Sequence, residues 1–205
     1  MKEHQRLYSC GIIHIMNVRI CTSIGALALL FALRSSATIV PSLTFEQMTD
    51  QSELVVQGQV TRAWSDWDSE HKYIWTHYEL AVAGTQKGRP GATVVVSEPG
   101  GAVGDKAMSI AGVVGYAPGE QVAVFLQRMP NGYLRTTGFG QGKFAVDKTG
   151  HLRAAAAMRG MEVVEVGKKT TGPIGTSLRN LEGISVGELK TRVAARIAVT
   201  GGSSK

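Results

Sequence analysis

Apolar and polar positions alternate from residue 54 to 61: Leu54, Val56, Gly58 and Val60 fall on one side, Val55, Gln57, Gln59 and Thr61 on the other. A period of two predicts a strand. The polar stretch 65–72, SDWDSEHK, reads as a turn. Residues 73–84 predict a longer strand, with Tyr73, Trp75, His77 and Glu79 on one face. Ile74, Thr76, Tyr78, Leu80 and Val82 form the apolar face that a core requires. Residues 86–91 predict a turn and 93–97 a short β-branched strand.

Residues 98–120 are Gly-rich and irregular, with a short strand expected at 107–110. Strands are predicted at 121–128 and 133–137, joined by the hairpin turn Pro130-Asn131-Gly132. A broken strand is expected over 139–146. Residues 151–183 carry weak patterning, with an extra edge strand at 163–166. Two helices are expected. Thr44 and Gln47 form a capping-box pair for one over 44–51. Ser185 and Glu188 do the same for a C-terminal helix over 184–199, with Val186, Leu189, Val193 and Ile197 as its apolar stripe.

Short strands separated by Gly/Pro turns predict a mainly β fold: a small antiparallel barrel, OB-like, or a sandwich. The two helices are expected to cap it. The core is expected over 38–150, with 151–183 a weakly ordered or edge-strand segment and 200–205 a polar tail.

The segment 24–33, IGALALLFAL, is uncharged and apolar, with Arg19 before it and Ser35-Ser36-Ala37 after it. That is a secretory signal pattern, and it predicts cleavage after Ala37. Met16 is an alternative start. The run falls short of the roughly 20 residues of a membrane span. Export to the periplasm or the medium is expected, with no stable span after cleavage.

Cleavage changes the charge. The whole chain carries 22 Lys+Arg against 16 Asp+Glu, whereas residues 38–205 carry 18 against 15. So small an excess gives little electrostatic drive toward nucleic acid. Cys10 and Cys21 both precede the cleavage point, so the mature chain has no disulfide and relies on its core.

The strings FEQMTDQSELVVQGQVTRAWSDWD, IWTHYELAVAGTQKG, VVVSEPGG, APGEQVAVFL and GFGQGKFAV resemble an uncharacterised family of exported bacterial proteins. The resemblance covers residues 45–146 and implies no particular activity. LVVQGQV, a polar loop, and a strand closing on Lys87-Gly88 are more distantly similar to netrin-like modules and tissue inhibitors of metalloproteinases. That likeness implies an OB-type barrel and raises a peptidase-inhibitor-like module as one alternative. Those inhibitors chelate the protease zinc with an N-terminal Cys, which residues 38–205 lack, so their mechanism does not carry over.

All three tryptophans lie within fifteen residues. Trp64, Trp67, Tyr73, Trp75 and Tyr78 form an aromatic group, with His77 on the Tyr73/Trp75 face. Flat π-faces bind sugars or peptides at low entropy cost, but cross-strand packing uses the same residues. Trp67, Tyr73, Trp75 and His77 are the candidate ligand contacts, for a protein or carbohydrate partner outside the cytoplasm. Asp66, Asp68 and His71 are weak metal candidates, since carboxylates two apart can converge on a cation; a solvated turn needs the same residues. EPGGAVG and GFGQG lack the Lys-Ser/Thr ending of a phosphate loop. Glu98 and Lys143 sit in apolar surroundings, paired inside or exposed. No nucleophile motif is present, no cofactor is expected, and no catalytic residue is assigned. A hydrolase or metal-dependent enzyme remains the rival reading, and the oligomeric state is open.

Overall fold

The computed structural model describes residues 40–154, 162–164, 172–173 and 180–202. The expected signal over 1–37, most of 155–179 and residues 203–205 lie outside the described residues.

The fold is mainly β. Helix α1 (Phe45–Gln51) is followed by two 14-residue strands, β2 (Leu54–Trp67) and β3 (Ile74–Lys87). Then come β4 (Thr93–Pro99), β5 (Gly101–Val103), β6 (Lys106–Met108), β7 (Gln121–Arg128) and β8 (Leu134–Thr136). After a 3-10 turn (Phe139–Gly142) follow β9 (Lys143–Val146), β10 (Leu152–Ala154) and helix α2 (Val186–Gly202). The main sheet runs β10-β9-β7-β2-β3-β4-β8, and β7 pairs with β8 as well. The short strands β1 (Val40–Pro41), β11 (Glu162–Val164) and β12 (Gly172–Pro173) form a separate sheet.

An all-antiparallel arrangement was expected, and the sheet is mixed: β4 pairs with β8 in parallel, Val96 opposite Leu134. The chain reaches β8 through β7, which lies on the far side of β2, so β8 arrives in the same sense as β4.

The strand β2 runs on through 65–67, where a turn was expected. Ser65, Asp66 and Trp67 find partners in Thr76, Trp75 and Ile74, and that ladder outweighs their local turn preference. The turn is confined to the residues beyond, where Asp68 N–H donates to the Tyr73 carbonyl at 2.8 Å. Similarly β3 continues to Lys87, opposite Val55. Thr44 caps α1 as expected: its hydroxyl accepts from Gln47 N–H, and the Gln47 side chain accepts from Thr44 N–H.

Burial explains the continuous apolar runs. Leu54, Val56, Val60, Tyr78, Leu80, Val94, Val96, Val122, Val124 and Leu126 share one core. Met48, Val55, Ala123, Phe125, Phe144, Leu152, Leu181, Leu189 and Val193 share a second, against the helices. Strand β7 is buried on both faces, which is why VAVFL shows no alternation. The stripe of α2 is buried at Leu189 and Val193, but Ile197 is 37% exposed and falls beyond the core.

Candidate functional site: an aromatic cluster on the outer sheet face

Directly opposed residues of an antiparallel pair share a sheet face. Arg62–Glu79, Trp64–His77 and Asp66–Trp75 are such pairs between β2 and β3. The intervening pairs, Ala63–Tyr78, Ser65–Thr76 and Trp67–Ile74, take the opposite face. Tyr78 and Ile74 are buried there, so Trp64 and Trp75 stand on the outer face.

The β7–β8 hairpin brings one more ring. Met129 N–H donates to the Tyr133 carbonyl, Gly132 N–H donates to the Met129 carbonyl, and the Asn131 side chain accepts from Tyr133 N–H. So held, the Tyr133 ring lies 5.0 Å from Trp75 and 5.5 Å from His77, edge-on to both. Trp64 lies 5.3 Å from His77 on the other side. Trp64, Trp75 and Tyr133 are each half-buried, with part of each ring reaching solvent.

Two arginines flank the rings. The Arg62 guanidinium lies 4.3 Å over Trp64 and pairs with Glu79 at 3.4 Å. The Arg135 guanidinium lies 5.9 Å from Trp75 and 5.7 Å from Phe139. Arg135 also donates to Glu98 Oε2 at 3.2 Å, while Glu98 Oε1 accepts from Thr136 N–H at 2.7 Å. Burial pushes the Glu98 carboxyl above its ordinary range, opposed by the Thr136 bonds and by Arg135. Arg135 and Phe139 also line a groove of about 310 Å³, with Leu43, Gln127 and Met129 in its walls.

The expected ligand contacts part company. Trp75 lies in the cluster. His77 lies beneath it, 8% exposed, with Nδ1 2.8 Å from Ser97 Oγ. Burial holds its pKa below the usual imidazole value, partly offset by the Asp66 carboxylate. Trp67 is on the opposite face, its ring stacked on His71 at 6.2 Å. Tyr73 is 53% exposed, in the turn before β3. Among the weak metal candidates, Asp68 Oδ1 accepts from Lys72 N–H at 2.7 Å, which makes it a turn-closing group. Among the described residues no three His, Cys, Asp or Glu side chains converge on a metal position.

Sequence reasoning missed Tyr133, Arg135 and Ser97. All three reach the cluster across strands distant in the chain, and no local pattern signals that.

Glu98 and Lys143 are both buried, with different partners. Lys143 Nζ donates to the Gly115 carbonyl and to Glu120 Oε2, both at 2.8 Å, and lies 4.4 Å over the Tyr116 ring. The Tyr116 hydroxyl meets Thr136 Oγ1, and burial raises that phenol far above its usual value, with Glu98 adding to the rise.

The Ser97–His77 contact has the spacing of a nucleophile and its base. Ser97 is 2% exposed, however, so its hydroxyl meets no substrate in this conformation. The contact orients the imidazole within the cluster. No family model and no curated protein matches the chain.

Proposed function

We propose that this chain is an exported, non-enzymatic β-barrel module that binds a carbohydrate or protein partner through Trp75, Tyr133 and Trp64. The observation that carries this reading is the open aromatic cluster. On the outer face Trp75 packs on Tyr133, His77 links Tyr133 to Trp64, and the three rings from β2, β3 and the β7–β8 turn keep some solvent-exposed surface. Partly exposed rings beside guanidinium groups suit a sugar ring or the side chains of a docked protein.

The pairings support the barrel. Strands β7, β2, β3, β4 and β8 pair in that order, and β8 pairs back to β7. Four of these pairings are antiparallel and one is parallel. Such a circuit favours a small OB-like barrel over a sandwich. Export rests on the apolar run 24–33 and the small residues through Ala37.

Capture from secreted and envelope fractions, together with titration of soluble glycans followed by tryptophan fluorescence, tests the binding role. The parent is expected to retain a partner or show a saturable shift that chelator leaves unchanged. Trp75→Ala is expected to lose it while costing about 1–2 kcal/mol of stability, below the 3–5 of a fully buried Trp. A partner retained equally by folded Trp75→Ala and Tyr133→Ala would place binding elsewhere. The metal-enzyme rival instead predicts stoichiometric metal in the purified chain.

A further inference from the structure

The outer edge of β2 changes character at Val60. Up to Gln59 it is paired with β7, and at Val60 it is closed by bonds to Gly119 and Glu120. From Thr61 to Trp67 its only strand partner among the described residues is β3. Among the described residues, one side of this stretch is therefore an unpaired sheet edge.

The ladder phase says which groups face outward. Asp68 N–H bonds the Tyr73 carbonyl, so Asp66, Trp64 and Arg62, at steps of two, also turn their backbone toward β3. Ala63, Ser65 and Trp67 then turn their N–H and C=O groups to the open side. Thr61 sits at a register shift and ends this regular stretch. A short row of backbone donors and acceptors of this kind is a template for another strand.

The side chains on the outer face select the strand. In order they read Arg62, Trp64, Asp66: a cation, an aromatic and an anion, symmetrically spaced. Placed antiparallel to itself about Trp64, this strand sets Arg62 opposite the second copy's Asp66 and Asp66 opposite the second copy's Arg62. The same register sets Ala63 opposite Ser65, and both have outward-facing backbone groups, so each such pair exchanges two hydrogen bonds. The Trp64 rings meet across a non-hydrogen-bonded pair, where side chains approach most closely. Shifting the register by two residues keeps backbone bonds but loses both Arg62–Asp66 pairs; in one direction Arg62 meets no acid, and in the other it meets Asp68, whose Oδ1 already accepts from Lys72 N–H in the turn. Arg62 and Asp66 are exposed, and the Glu79 contact that Arg62 would exchange for the new pair is a long surface pair of little weight.

We propose that the 61–67 edge of β2 is the contact surface of a symmetric dimer, its occupant a second copy of this chain paired antiparallel about Trp64. Such an interface is isologous and closes after two copies. It joins the two aromatic faces across the Trp64 pair. It does not depend on those faces binding a ligand.

Sedimentation equilibrium on protein purified after expression of all 205 residues tests this, across low to high micromolar concentrations. The parent is expected to show a concentration-dependent dimer mass. Arg62→Asp and Asp66→Arg each put like charges opposite one another, and each is expected to weaken dimerisation by about tenfold or more. Mixed in equal amounts, the two variants regain complementary pairs and are expected to form a heterodimer tighter than either homodimer. Ala63→Pro removes an outward-facing N–H, so it is expected to abolish the dimer while thermal unfolding still reports a folded chain. A parent that stays monomeric throughout overturns the proposal. So does a dimer that both charge variants leave intact, or a mixture that shows no recovery.

Discussion

His77 sits between the Trp64 and Tyr133 rings, with Ser97 on its Nδ1. Protonation would put a cation in a mostly dehydrated position, and its folded pKa is accordingly below the unfolded value near 6.5. Below that value the unfolded chain holds more protons at this residue, so stability falls as pH drops toward the folded pKa and levels off beneath it. Thermal unfolding between neutral and mildly acidic pH is expected to show this decline, and His77→Gln is expected to flatten it. Equal slopes for parent and variant would remove His77 as the cause. The alternation over 73–79 placed Trp75 and His77 on one face correctly. Only the fold decides that Tyr133 and Ser97 close over the imidazole and leave Trp75 partly open.

At the scale of elements, the long β2–β3 pair depends on irregularities as much as on regular pairing. The β2–β3 register shifts at Val55/Val56, Gln57/Gly58 and Val60/Arg62. Shifts of this kind bend a strand and increase its twist, which helps a sheet curl back toward its own far edge. Gly58 belongs to the second, and a Cβ there would lie 2.2 Å from the Ala81 carbonyl oxygen. Gly58→Ala is therefore expected to destabilise by about 3 kcal/mol, read from the urea midpoint. A near-neutral result would mean that the two strands separate at little cost. The positions of β2 and β3 were legible from alternation and the cap of α1 from Thr44 and Gln47. The extension of β2 through Trp67 was not, because its polar residues gain their advantage only from the ladder with β3.

At the scale of the whole molecule, the described residues pack into two cores that share β2 and β7. Val56 and Val124 face the first, Val55 and Phe125 the second. Phe125 meets Phe45 and Phe144 edge-on, each at 6.3 Å, while Leu189 and Val193 of α2 complete the layer. Leu189→Ala is expected to cost 2–5 kcal/mol. It is expected to leave one cooperative transition, since the central strands transmit the loss to both cores. A separate early transition would show that the helical layer unfolds by itself.

Residues alone determined the mainly β composition, the two helix starts and the apolar face of β3. Each follows from local periodicity or capping chemistry. Tertiary structure decided the parallel β4–β8 pair, the membership of the aromatic cluster and the partners of Glu98 and Lys143. It also put Trp67 on the face opposite Trp75. These depend on which strands lie side by side after the chain has crossed between layers. Contacts of that kind join residues far apart in the chain, beyond the reach of any local pattern.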